Sequence, residues 1–125
     1  MLEIPKCNCM NQHNEEKRKK YIKKLVSNSK AIITHQIAVP LGSQTMGKIL
    51  YWIDNIVPLN EIDLSVFSRY NDQIRNLPIG AERLSYNKDY LLLEDSKLDH
   101  ITTDYKKEIL EKCFEIIQQY DIKKN

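Results

Sequence analysis

The sequence predicts an all-α fold, an irregular bundle of four main helices plus one short helix, on three observations. Apolar residues recur at the helical period over four long segments. Only three glycines and four prolines interrupt 125 residues, and Pro40, Pro58 and Pro78 stand where one periodic segment gives way to the next. No alternation of period two runs far enough to compete with these stripes as a strand.

Residues 1 to 13 read as an irregular lead-in, because Pro5 and the polar Asn8, Asn11 and Gln12 give no apolar period. A single helical domain is expected over 14 to 122. Its first helix is predicted over 14 to 36, with Asn14 as cap and Glu15 and Glu16 at the positive helix start. Tyr21, Ile22, Leu25, Val26, Ile32 and Ile33 share one arc, and the cations at 17 to 20, 23 and 24 mostly cover the other side.

Pro40 and Gly42 break the period before the cap candidate Ser43, so the second helix is predicted over 43 to 57. Its stripe is Met46, Ile49, Leu50, Ile53, Ile56 and Val57, with Trp52 on the flank. The third is predicted over 60 to 77, with Leu59 and Leu64 placed as a hydrophobic staple around Asn60. Val66, Phe67, Tyr70, Ile74 and Leu77 form its buried face. Periodicity weakens from Ala81 to Asp99, leaving one short helix around Lys88 to Leu93. The last helix is predicted over 102 to 120, on a stripe of Tyr105, Ile109, Leu110, Cys113, Ile116, Ile117 and Tyr120.

The net charge of +2 conceals an asymmetry. Residues 1 to 30 hold eight Lys and Arg against three acids, whereas residues 31 to 104 hold six against ten. A basic first helix is therefore followed by an acidic middle. The N-terminus has no basic start with a continuous apolar stretch, so the expected compartment is the cytoplasm, where thiols stay reduced.

Cys7, Cys9 and His13 form a Cys-x-Cys with a histidine four residues on. Structural zinc takes four ligands, with two to four residues between paired cysteines, and this cluster offers three with one residue between Cys7 and Cys9, so it reads as lead-in thiols and no metal is assigned. Cys113 sits at the centre of the last apolar arc and reads as a small core hydrophobe, and His35 and His100 read as surface residues. A Gly-rich phosphate loop, His-Glu-x-x-His, Gly-x-Ser-x-Gly and the dinucleotide fingerprint are all missing, so no catalytic or cofactor-binding residue is assigned. The run from Lys17 to Lys24 reads as a solvated helix face before it reads as a nucleic-acid contact, since the acidic middle repels phosphates.

At Leu77-Pro78-Ile79-Gly80 the chain turns a corner, where Pro78 holds Leu77 extended and Gly80 permits positive φ. Arg83 is expected to turn back onto helix-end carbonyls or Asp72. Leu77, Pro78, Gly80 and Arg83, with Ala31, Ile32 and Gly42 upstream, resemble a family of short bacterial proteins catalogued as a domain of unknown function. The resemblance spans about residues 30 to 118 and implies a helical fold and no activity.

These readings lead to a protein-binding module, most concretely an immunity or antitoxin-like protein that neutralises a basic toxin nuclease. Glu82, Glu94, Asp95 and Asp99, in the least periodic stretch, are the candidate partner interface. A small nucleic-acid-binding protein using the first helix is the first alternative, and a metal protein or enzyme using Cys7, Cys9 and His13 the second. No membrane association is expected.

Overall fold

A computed structural model describes residues 12–79 and 81–121, and within them the apolar stripes meet as four helices. They are α1 (Gln12–Ile33), α2 (Val39–Asp54), α3 (Ser65–Ile74) and α4 (Lys88–Tyr120), with a 3-10 turn at Ala81–Ser85. Among the described residues there is no strand. The all-α bundle is as the stripes predict.

One core collects Leu25, Val26 and Ile32 from α1, Met46, Ile49 and Ile53 from α2, Val66, Phe67, Tyr70 and Ile74 from α3, and Ile109, Cys113 and Ile116 from α4. α1 packs on α2 and α4, and α3 packs against the same two helices. The α1–α2 pair is antiparallel. Arg18 donates from Nε to the Val57 carbonyl at 2.8 Å, Tyr21 meets Trp52 at 5.4 Å between ring centroids, and Asn28 donates to the Gly42 carbonyl at 2.9 Å.

Several boundaries differ from the predicted ones, each for a local reason. α1 stops at Ile33 because His35 adopts φ 64°, and its N–H bonds to the Ile32 carbonyl while that of Gln36 bonds to Ala31. These two bonds make a Schellman end, with histidine where glycine usually sits. α2 starts at Val39, not Ser43, since proline in the first helical turn loses no bond it would have made. Gly42 therefore lies inside the helix, and a Cβ there would stand 2.5 Å from Ile32 Cγ1. Its role is close approach of α1 and α2, and not a turn.

α3 starts at Ser65, not Asn60, with the Asp63 carboxylate accepting from the Ser65 N–H at 3.0 Å. Leu59 and Leu64 pack against the core instead of stapling a helix end at Asn60. The largest correction is α4. The expected short helix at 88 to 93 and the last helix from 102 are one continuous helix of 33 residues, capped by the Asn87 side chain, which accepts from the Tyr90 N–H at 2.8 Å. The short helical element is instead the 3-10 turn before it. α4 is about 50 Å long at 1.5 Å per residue. Its fully buried apolar residues, from Ile109 to Ile116, lie in the second half.

Candidate functional site

The corner after α3 is what positions the first half of α4. Pro78 and Ile79 are buried, and the Ile79 N–H donates to Glu82 Oε2 at 3.2 Å. Arg83 then reaches both ways. Its Nη1 donates to the Pro78 carbonyl at 3.2 Å and to Asp95 Oδ1 at 2.6 Å, and Nη2 donates to Asp95 Oδ2 at 3.0 Å. This two-pronged grip is the planar recognition that guanidinium offers a carboxylate. It holds the Asp95 carboxyl below its ordinary pKa, and backbone hydrogen bonds do the same for Glu82.

The Arg83 partners are thus the Pro78 carbonyl within the corner, four residues past the end of α3 and not a helix-end carbonyl, and Asp95 in place of Asp72, which lies 3.9 Å from Arg75. The four acids expected at an interface are brought to one region and differ in what they do there. Asp95 is paired with Arg83. Glu94 is 6% exposed and takes Lys97 Nζ at 2.9 Å, which raises the lysine pKa. Glu82 ties the Ile79 amide, and Asp99 is exposed on α4.

Sequence reasoning missed the apolar residues of this region. Leu84 is 91% exposed, Leu92 62% and Leu93 59%, and Tyr86 and Tyr90 are also exposed with ring centroids 4.9 Å apart. The signal was present as Leu91-Leu92-Leu93. Three consecutive helical positions sweep about 200° of the helix surface, so they cannot all face one core. Across residues 81 to 104 six acids stand with three bases, so this stretch of chain is net acidic, with Lys97 and His100 lining the surface beside Leu93.

The other candidates fall elsewhere. Cys113 is fully buried, and burial pushes its thiol up to about 11 while Ser29 hydrogen-bonds it. It is core filler, as its stripe position implies. His13 is exposed in the first turn of α1, and Cys7 and Cys9 lie outside the described residues. His35 and His100 are exposed. Among the described residues no group of three or more His, Cys, Asp or Glu is placed to hold a metal ion. No helix among them is long and apolar enough to cross a membrane.

Compared with family models, with curated proteins and with solved structures, the chain gives no match in any of the three.

Proposed function

We propose that the chain is a protein-binding module whose partner presents an apolar patch within a basic face, most concretely an immunity or antitoxin-like protein that covers a toxin nuclease. The observation that carries the reading is the exposure of Leu84, Tyr86, Tyr90, Leu92 and Leu93 within ten residues. Clustered apolar exposure of this kind marks partner surfaces on soluble proteins. Covering one leucine as exposed as Leu84 gains about 1.5–3 kcal/mol, and aromatic anchors such as Tyr86 and Tyr90 are typical binding hot spots.

Charge selects among partners. A second copy of the same surface would set two acidic segments against each other, whereas a nuclease that binds polyanionic nucleic acid is basic and is attracted. Asp99 and Glu82, exposed in the same stretch of chain, supply steering. Glu94 and Asp95 support it from within through Lys97 and Arg83.

The test is site-specific photocrosslinking in the source cell, with a photoreactive residue at Leu93 or, as control, at exposed Phe114 on the same helix. A basic protein adduct from position 93 and none from 114 is the expected result. Adducts only with nucleic acid, or only with a second copy of the chain, would overturn the reading.

A further inference from the structure

A second surface, distant in sequence from the first half of α4, has the opposite character. Its centre is Trp52, 41% exposed beside Tyr21, with Tyr51 next to it at 65% exposure. Beside them a shallow groove of about 580 Å³ runs between α2 and α3, lined also by Gln44, Lys48, Asn71 and Arg75. Of the lining residues only Asp72 is acidic, and Arg75 sits 3.9 Å from it.

α1 adds to the positive charge along the same seam. Tyr21 and Asn28 both touch α2, and exposed Lys24 lies between them, one helical turn from each. Lys17 precedes Tyr21 by one turn, as Lys48 precedes Trp52, and both are exposed. The first helix taken alone is only a lysine-covered face. Folding places beside it two exposed aromatic rings and two further cations contributed from α2 and the end of α3.

We infer that this seam and groove bind single-stranded nucleic acid, with Trp52 and Tyr51 stacking on bases and Lys24, Lys48 and Arg75 holding phosphates. Exposed rings among cations suit unpaired bases, whose faces are open, whereas bases inside a duplex are covered by their neighbours. Gln44 adds an amide group able to pair with base edges, whereas the Asn71 amide is held inward by the Ser43 carbonyl at 2.9 Å. An acidic peptide would engage the cations and leave the rings idle. This surface shares no residue with the α4 patch, so neither reading depends on the other.

Trp52 is the chain's one tryptophan, which gives a direct readout. Titration with an oligothymidine of about ten nucleotides is expected to quench its fluorescence, because stacking places a base on the indole. Affinity is expected to fall with salt, with a log–log slope of about −2 for three neutralised phosphates on a single strand. Lys24→Glu and Lys48→Glu should each weaken binding about tenfold at low salt, and Tyr51→Ala about fivefold or more. Leu93→Ser should leave it unchanged. The inference is overturned if heparin or a poly-glutamate peptide binds as tightly as the oligonucleotide, if duplex DNA binds more tightly, or if no binding occurs at about 50 mM salt.

Discussion

Arg83 and Asp95, twelve residues apart, meet through two parallel hydrogen bonds of 2.6 and 3.0 Å, and this pair fixes the 3-10 turn against the second turn of α4. The turn carries Leu84 into solvent, so a structural ion pair sets the geometry of the proposed partner surface.

Removing the grip should loosen the corner while leaving the bundle folded. Arg83→Ala is expected to speed protease cleavage between 76 and 87 several-fold, read by limited proteolysis with mass spectrometry. Arg83→Lys should recover only part of the protection, since an ammonium lacks the fork. The depressed Asp95 pKa means that the pair adds stability above the usual carboxylate value of about 4, and that this stability is lost as pH falls through the lower folded value. Corner protection should therefore decline in acid in the wild type and decline less in Arg83→Ala, where only the Glu82 carboxylate still titrates against the corner backbone.

Cys113 should resist thiol reagents until the protein unfolds. In a Cys7→Ser, Cys9→Ser variant the remaining thiol is expected to label at the rate of global opening, measured against denaturant. Its folded pKa of about 11 lies above that of an unfolded thiol, so its contribution is complete below about pH 8.5 and is lost as pH rises towards 11. Cys113→Asp should cost about 3–5 kcal/mol, as an unpaired charge in the core.

Gly42→Ala should destabilise although alanine is the better helix former by about 1 kcal/mol. The new Cβ meets Ile32 Cγ1 at 2.5 Å and Cδ1 at 2.8 Å, and overpacking of this kind costs about 1–3 kcal/mol. Combined with Ile32→Ala, the loss should be smaller than the sum of the two single losses, because both act on the same contact. Denaturant midpoints of the four proteins settle it.

His35→Gly should raise the melting temperature. At φ 64° a side chain is strained and glycine is not, and the gain net of the extra unfolded-state entropy is about 0.5–1 kcal/mol. His35→Val should lower it, since a β-branched residue tolerates the left-handed region worst.

Leu84→Ser should separate binding from folding. A residue 91% exposed makes few native contacts, so its stability change should stay within about 0.5 kcal/mol, while crosslinking from position 93 is lost. A large fall in melting temperature would show that Leu84 supports the fold instead of facing a partner.

The buried stripes of α1, α2, α3 and the second half of α4 were legible because each is apolar on one side only. Met46, Ile49, Ile53 and Ile109, Cys113, Ile116 repeat at helical spacing and are buried as that spacing requires. The first half of α4 was not legible for the opposite reason. Glu94 is buried there while Leu92 and Leu93 are exposed, so its apolar period is broken by the surface proposed for recognition. Pro40 breaks the apolar period in the sequence yet lies in the first turn of α2, because proline disrupts a helix from within and is accommodated in its first turn.

The sequence by itself determined the helical class, most of the core-facing residues and the charge asymmetry between the first helix and the middle of the chain, although Ile56 and Val57, expected on the second stripe, fall beyond the end of α2. These follow from periodicity and composition, which are local and additive. Tertiary structure alone decided that Arg83 grips Asp95, that Gly42 lets Ile32 approach α2, and that Trp52 joins Tyr21 beside Lys24 and Lys48. Each of these depends on the register and separation of two elements, and packing of whole helix faces sets both.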